Sequence, residues 1–326
     1  MLGAIVISGS IETERKLGSI PSAKFSSWDS WHSCPASVPL LGCTTVARTV
    51  EYLRQSGVEE ISVFGGRSHG AVASTSALAD VENHAWLSAG KQLRIYREDG
   101  LETVLIVRVG SYVECDLASF VGQHRQHGHP VCQAADQDGS LDFWALNLRS
   151  FDVGDDFFAS LAVANASECE IDGYVNRLYS PHDFRKLASD LLTGQCKTTP
   201  RGAEMRPGVW MDEAVQVGRG ARIVAPAYIG REVRIADDCL ITRCSNVESW
   251  SHVDFGTAIE DSSILTNTYV GIGLDLSQSI VDGDELLNLH HEVRLHISDP
   301  VVMRRNSARG HQRERLMQPE TSEMTL

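Results

Sequence analysis

The chain has 326 residues, 42% of them hydrophobic, and a formal net charge of −14 at pH 7. This length is sufficient for two domains that each bury a core. The negative charge argues against nonspecific binding to nucleic acid or to anionic membranes, because both depend on a cationic face. No apolar run is long enough to cross a bilayer, and residues 1–9 lack a basic leader, so we expect a cytoplasmic protein without membrane insertion.

The first part of the chain predicts alternating strands and helices. An apolar run at residues 3–7 suits a buried parallel strand, and residues 45–56 carry apolar side chains at helical spacing before Gly57. A helix is predicted over residues 116–126, and further strands are predicted at residues 61–64, 93–96, 104–107 and 130–132. This alternation predicts a doubly wound α/β domain over residues 1–192.

A second domain is predicted by aliphatic residues spaced six apart, a period that neither a helix nor a flat strand has. There are nine of them: Val217, Ile223, Ile229, Ile235, Ile241, Val247, Val253, Ile259 and Leu265. A residue that is usually small stands four positions later, as in Ala221, Ala227, Val233, Cys239, Ser245, Ser251, Thr257 and Ser263. Such a repeat stacks short strands into a solenoid with an aliphatic axis. It resembles the hexapeptide repeat of left-handed parallel β-helices.

The predicted β-helix, with a C-terminal cap, occupies residues 209–300. A polar segment rich in glycine and proline at residues 193–208 is expected to be the linker between the domains. Residues 301–326 are charged and poor in apolar side chains, so we expect a mobile tail. The eight cysteines show no CxxC pair and are expected to be reduced thiols.

Three segments of the first part resemble the sugar-1-phosphate nucleotidyltransferases, also called NDP-sugar pyrophosphorylases. Residues 39–61, which begin PLLGCTTV, are similar to that family's helix and second strand. Residues 107–117 (VRVGSYVECDL) are similar to its Asn-Gly-Asp segment, and residues 173–184 (GYVNRLYSPHDF) to its closing Gly-Tyr element. The resemblance implies a nucleotidyltransferase fold like that of the mannose-1-phosphate guanylyltransferases. It also implies a setting in nucleotide-sugar supply for cell-surface or exopolysaccharide synthesis.

The resemblance also implies catalytic residues, and this chain replaces them. In the glycine-rich loop, Glu12 stands at a glycine position and Glu14 at that of the phosphate-binding arginine. Pro35 aligns with the lysine of the family, and Ser111 and Arg177 align with the two metal-binding aspartates. Serine and arginine are not the oxygen-rich ligands that Mg²⁺ requires. We therefore predict a catalytically inactive member with no catalytic residue and no cofactor.

The favoured function is a sugar-nucleotide sensor, or a regulatory or assembly subunit. A remnant ligand pocket that could take a nucleotide or nucleotide sugar would consist of Ser8, Gly9, Ser10, Thr13, Gly110, Ser111 and Arg177. The first alternative is an active pyrophosphorylase with an atypical site, which would need Mg²⁺ to convert nucleoside triphosphate and sugar 1-phosphate into NDP-sugar and pyrophosphate. The second is a hexapeptide-repeat acyltransferase with His252 as general base.

Two local features of the first domain have more than one interpretation. Arg177 could bind a phosphate at the vacated metal position, or form an ion pair with Asp183 or another carboxylate. Four residues have the types and spacing of metal ligands, but a polar run at a helix end also explains them, and we expect no metal there. They are His124, His127, His129 and Cys132.

The predicted β-helix offers candidate partner contacts. Trp250, at an outward position, and Tyr269 could anchor a second copy of the chain or an active nucleotidyltransferase homologue. Alternatively, residues 271–295 fold over the end of the solenoid as an intramolecular cap, with Trp250 packed beneath it. No nucleic-acid partner is expected.

Overall fold

The computed structural model describes residues 2–8, 38–65, 75–154, 157–164 and 166–306. The chain divides into two compact units. The first has the boundaries Met1–Val38 and Cys43–Thr199, and the second Pro39–Gly42 and Pro200–Leu326. The division after Thr199 lies inside the segment predicted to be the linker. Within the described ranges, no helix is both long and apolar enough to span a membrane.

The described part of the chain up to Thr199 contains both strands and helices. In chain order they are β1 (Leu2–Ser8), β2 (Pro39–Leu40), β3 (Cys43–Thr44), α1 (Thr45–Gln55), β4 (Glu60–Phe64), α2 (Thr75–Glu98), β5 (Thr103–Val109), β6 (Tyr112–Cys115), α3 (Leu117–His127), β7 (Val131–Asp136), β8 (Gly139–Asn147), α4 (Phe157–Val163), β9 (Ser167–Glu170), β10 (Gly173–Asn176) and α5 (Pro181–Leu192).

A six-stranded mixed sheet forms the centre of the first unit, in the order β4-β1-β5-β8-β7-β9. Strand β1 pairs in parallel with β4 and β5, β8 runs antiparallel to β5 and β7, and β9 is parallel to β7. Alternate residues of β1 enter different cores: Ala4 and Val6 pack with α1 and α3, whereas Ile5 and Ile7 pack with α2 and α4. Helices therefore cover both faces of the sheet, which confirms the mixed α/β class.

The predicted helices are found where side chains can cap them. Helix α1 begins after Thr44, whose hydroxyl accepts a hydrogen bond of 3.2 Å from the N–H of Ala47. Helix α3 begins after Asp116, whose carboxylate accepts one of 3.1 Å from the N–H of Ser119. Gly128, in the left-handed region at φ 68, ends α3 and turns the chain toward β7.

The predicted strand at residues 93–96 is wrong, because these residues form the last turns of α2. Buried side chains in the described part of this helix include Trp86, Ala89, Leu93 and Tyr96, which recur every three to four residues and so lie on one helical face. Residues 93–96 comprise three apolar side chains and one arginine, and this short window does not distinguish a strand from a helix.

The second unit is built almost entirely of short strands. They are β11 (Ala203–Arg206), β12 (Val209–Met211), β13 (Gln216–Val217), β14 (Arg222–Ile223), β15 (Ala227–Ile229), β16 (Arg234–Ile235), β17 (Leu240–Thr242), β18 (Ser245–Val247), β19 (His252–Val253), β20 (Ala258–Glu260), β21 (Ser263–Ile264), β22 (Thr268–Val270), β23 (Asp275–Ser277), β24 (Ser279–Asp282), β25 (Glu285–Asn288), β26 (Val293–His296) and β27 (Met303–Arg305).

These strands stack into three parallel sheets. The sheets contain β12-β15-β18-β21-β24, β13-β16-β19-β22 and β14-β17-β20-β23, so that each successive coil adds one strand to each sheet. Ile229, Ile235 and Ile241 lie in one interior cluster with the aliphatic residues of the neighbouring coils. The second unit is thus β-helix-like, with the predicted six-residue spacing along its axis.

Two of the nine predicted interior positions differ from the prediction. Val217 is 45% exposed, because it lies in the first coil and pairs with Ile235 on one side only. At the other end the coil shortens by one residue, and Ile264 rather than Leu265 enters the interior cluster. Ile264 stands opposite Val247 and Val281 in the stack.

The small residues of the repeat connect successive coils through their hydroxyl groups. Ser251 donates a hydrogen bond of 2.8 Å to the carbonyl of Leu265 and accepts one of 3.2 Å from the N–H of Thr268. In the same way, the Thr257 hydroxyl donates a hydrogen bond to the carbonyl of Gly271 and accepts one from the N–H of Leu274. At both positions a buried hydroxyl therefore satisfies backbone groups that the short strands leave unpaired.

The C-terminal part of the second unit departs from the predicted boundaries. Residues 271–281 continue the coils through β23 and β24, and antiparallel strands β25 and β26 extend one sheet. Strand β27 pairs antiparallel with β22. The tail predicted to begin at residue 301 is therefore wrong for residues 303–305, while residues 307–326 lie outside the described ranges.

Candidate functional site

A cavity of about 820 Å³ lies in the first unit, next to the residues that follow β5 and β10. Its described lining is Arg108, Gly110, Ser111, Gln133, Asp138, Gly139, Ser140, Leu141, Asp142, Trp144, Phe158, Leu161, Ala164, Ala166, Arg177 and Tyr179. This size is within the range of small-molecule sites. In open α/β sheets, ligands bind outside the carboxyl ends of the strands, and Gly110 and Ser111 directly follow the carboxyl end of β5.

Pairing between β6 and β10 brings two predicted pocket residues to the same place. The strands are antiparallel, with Tyr112 opposite Asn176. Ser111 immediately precedes β6 and Arg177 immediately follows β10, so both residues stand at the same end of this two-stranded sheet. Together with Gly110 they line the cavity.

Arg177 is held by hydrogen bonds that it donates to the β7–β8 hairpin. Its Nη2 forms an ion pair with Asp136 and donates a hydrogen bond of 3.0 Å to the carbonyl of Gly139. Its Nη1 donates one of 3.2 Å to the carbonyl of Ser140. The partner carboxylate is not Asp183, which caps α5 by accepting from the N–H of Ser180 at 2.9 Å.

A second arginine, which the sequence analysis did not single out, lines the same cavity. Arg108 lies near the end of β5 among buried aliphatic residues, and its Nη1 is 2.7 Å from the carboxylate of Asp142. A charged residue inside an otherwise apolar strand is unusual unless it is paired, and this was the available signal in the sequence.

Part of the cavity lining is apolar. Trp144 of β8 and Phe158 of α4 lie there with Leu161 and two alanines. The ring centroids of Phe158 and Trp86 are 4.8 Å apart, which fixes the Phe158 ring against the core behind it. The cavity can therefore contact a ligand that has both polar and planar apolar parts.

The other predicted pocket residues are not brought together in the described structure. Ser8 is the last residue of β1 and stands opposite Val109 of β5, at the same sheet edge, but it is not among the described lining residues. Gly9, Ser10 and Thr13 lie outside the described residues.

The positions implied for Mg²⁺ ligands do not fit that ion. A serine hydroxyl at position 111 and a guanidinium at position 177 offer no carboxylate oxygen, and the cation of Arg177 repels a metal ion. Asp138 and Asp142 line the cavity, but in the described parts of the chain no three carboxylates gather there into a ligand set.

The two predicted partner-contact residues have different environments in the second unit. Tyr269 is only 7% exposed, with Arg304 of β27 3.6 Å above its ring and its hydroxyl donating to Asp254 at 2.7 Å. Trp250 is 38% exposed and occupies a turn at φ 61. Tyr269 therefore packs within the chain, and Trp250 does not lie beneath a cap.

His252, the candidate general base, packs edge-on against Tyr269 with ring centroids 5.5 Å apart. Tyr269 in turn donates a hydrogen bond to Asp254. In the first unit, the structure groups His127 and Cys132 with Cys169, while His124 and His129 are not members of that cluster. Sequence reasoning missed Cys169, because strand β9 was not predicted.

No family model matches this sequence, and no curated protein matches it either.

Proposed function

We propose that this chain is a noncatalytic protein similar to the sugar-1-phosphate nucleotidyltransferases, whose first unit binds a nucleotide sugar in the cavity beside Arg177. The proposal includes a nucleotidyltransferase-like fold for the first unit, a left-handed parallel β-helix for the second, and a cytoplasmic role in nucleotide-sugar metabolism. The observation that carries it is the ion pair of Arg177 with Asp136 next to Ser111, where the resemblance implies metal-binding aspartates.

Charge on the cavity wall favours binding over catalysis. The charged side chains among the described lining residues are two arginines and two aspartates, Arg108, Arg177, Asp138 and Asp142, which sum to zero. Both arginines already have carboxylate partners, Asp142 and Asp136. Displacement at the α-phosphate of a triphosphate needs unpaired positive charge on the phosphates and the leaving group. A nucleotide sugar carries less negative charge than a triphosphate, so it needs less positive charge on the cavity wall.

Shape and polarity of the cavity support the same ligand class. Trp144 and Phe158 offer flat apolar surfaces for a nucleobase or the apolar face of a sugar ring. Gln133, Tyr179 and Ser111 provide hydrogen-bonding groups that suit sugar hydroxyls. Binding without turnover would make the first unit a sensor of nucleotide-sugar level.

Two other functions receive less support. An active pyrophosphorylase would have to take its metal ligands from positions other than 111 and 177. An acyltransferase would need His252 to face an acyl donor, whereas its ring packs against Tyr269. The paired charges around Arg177 favour a site that binds without catalysing a displacement.

The first test measures binding and turnover together. The full chain is titrated by calorimetry with nucleoside triphosphates and nucleotide sugars, with and without Mg²⁺. We expect one nucleotide sugar to bind without Mg²⁺, and no pyrophosphate release from any pair of triphosphate and hexose 1-phosphate. Ser111→Phe, which places a bulky ring in the cavity, should weaken binding at least about tenfold.

The control for this test is Ser119→Phe, at an exposed position of α3 away from the cavity. It should leave binding unchanged. Pyrophosphate release at a rate typical of enzymes, abolished by changes in the loop at residues 9–14, would overturn the noncatalytic assignment. Absence of nucleotide-sugar binding by the folded wild-type chain would overturn the sensor.

The assembly role of the second unit is tested separately. Trp250 presents a large exposed ring, of the kind enriched at the centres of interfaces. We expect the wild-type chain to self-associate in light scattering and Trp250→Glu to be monomeric. Phe255→Glu, at another exposed aromatic position of the second unit, should remain associated. A monomeric wild-type chain would contradict self-association through Trp250.

A further inference from the structure

Three side chains with soft or borderline metal-binding atoms meet in the first unit, at the C-terminal end of α3. His127 is the last residue of α3, Cys132 is the second residue of β7, and Cys169 is the third residue of β9. The left-handed turn at Gly128 returns the chain from α3 to β7, while β7 and β9 pair in parallel with Cys132 opposite Ser167. Three separate elements thus deliver the three side chains to one point.

Their spacing fits a tetrahedral metal ion. One ligand atom from each of the three side chains lies within 4.8 Å of the other two. Nδ1 of His127 is 3.7 Å from Sγ of Cys169. Tetrahedral zinc, with bonds of about 2.3 Å to sulfur and about 2.0 Å to nitrogen, requires a sulfur–nitrogen separation of about 3.5 Å. Little movement would be needed to close the three groups around an ion.

Charge and burial are also compatible with zinc. Cys132 and Cys169 are fully buried, whereas His127 is exposed. Two thiolates cancel the two charges of Zn²⁺ and the imidazole is neutral, so the occupied site would bring no net charge into the surrounding core. Because His127 is exposed, the ion can reach the site from solvent, and water can occupy the remaining coordination position.

We propose that His127, Cys132 and Cys169 form a Zn²⁺ site whose fourth ligand is water. Two thiolates with an imidazole select zinc over Mg²⁺ or Ca²⁺, which prefer oxygen ligands. Ser167, whose hydroxyl lies 2.9 Å from Sγ of Cys132, is placed to donate a hydrogen bond to that thiolate and orient it.

The consequence for the first unit is a cross-link at the edge of its sheet. Strand β9 is the edge strand next to β7 in the described six-stranded sheet, and it is only four residues long. Zinc would tie β9 to both β7 and the end of α3. The site is separate from the cavity beside Arg177 and does not depend on the nucleotide-sugar proposal.

The test uses the full chain without a polyhistidine tag, reduced, treated with chelator and titrated with Co²⁺. We expect one Co²⁺ per chain, with thiolate-to-cobalt charge-transfer absorption and the intense visible bands of tetrahedral cobalt, and displacement by one equivalent of Zn²⁺. Cys132→Ser, Cys169→Ser and His127→Gln should each weaken binding at least about 100-fold.

Matched controls are His129→Gln, an exposed histidine two residues beyond His127, and Cys196→Ser, a buried cysteine outside the cluster. Both should bind Co²⁺ as the wild-type chain does. Where a cluster variant fails to fold, the wild-type spectrum still decides, because charge-transfer intensity counts the bound thiolates and two are expected. The site would be overturned if the reduced chain showed no such absorption, or an intensity that corresponds to one thiolate only. It would also be overturned if Cys132 and Cys169 were joined by a disulfide before reduction and the chain bound no Co²⁺ once that disulfide was reduced.

Discussion

Replacing Ile235 with Asp is expected to destabilise the second unit by at least about 4 kcal/mol, which amounts to local unfolding of its coils. Ile235 is almost fully buried in the interior cluster. It stands between Val217 and Val253 in one column of the stack. An aspartate there would place an uncompensated charge among aliphatic side chains, with no described donor at that interior position. Urea unfolding, monitored by far-UV circular dichroism, measures the decrease in the free energy of unfolding.

The same column supplies the control for this prediction. Val217 is the direct neighbour of Ile235 in the parallel pairing, but its side chain is half exposed at the first coil. Val217→Asp should therefore change the free energy of unfolding by less than about 0.5 kcal/mol. Equal effects of the two substitutions would contradict the difference in burial between positions 217 and 235.

The stacked coils could be predicted from the sequence because their period is carried by single side chains. Every residue from Ile223 to Ile259 in the six-residue series is buried in the axis. The series fails at Leu265, since the coil before it is one residue shorter and the neighbouring Ile264 is equally aliphatic. Only the pairing of Ile264 with Val247 and Val281 decides between them.

The candidate site was predictable in part. The resemblance to the nucleotidyltransferases pointed to Gly110, Ser111 and Arg177, and all three line the cavity. The partner of Arg177 was not predictable, because Asp136 is 41 residues away and reaches it through the β7–β8 hairpin. Arg108 and Asp142 meet through the antiparallel pairing of β5 with β8. Contacts of this kind depend on strand order, which local patterns do not encode.

A buried carboxyl group in the first unit supports the segment that leads out of it. Glu114 of β6 accepts hydrogen bonds from the N–H of Thr198 at 3.0 Å and from its hydroxyl at 2.9 Å. It also accepts from the backbone N–H of Lys197 and the hydroxyl of Tyr112. Burial, together with the bond to Glu114, raises the pKa of Tyr112 well above its usual range, so this phenol remains a neutral donor.

Glu114→Ala is expected to cost about 3–5 kcal/mol of stability in the first unit, because several buried donors would lose their acceptor at once. Glu114→Gln, which keeps one carbonyl oxygen, should cost less than the alanine variant. The control is Glu102→Ala, whose exposed ion pair with Arg149 should contribute less than about 1 kcal/mol. Thermal and urea unfolding of the three variants measures how much each substitution lowers the free energy of unfolding. If Glu102→Ala were as destabilising as Glu114→Ala, the buried network would not be what holds residues 197–198 against β6.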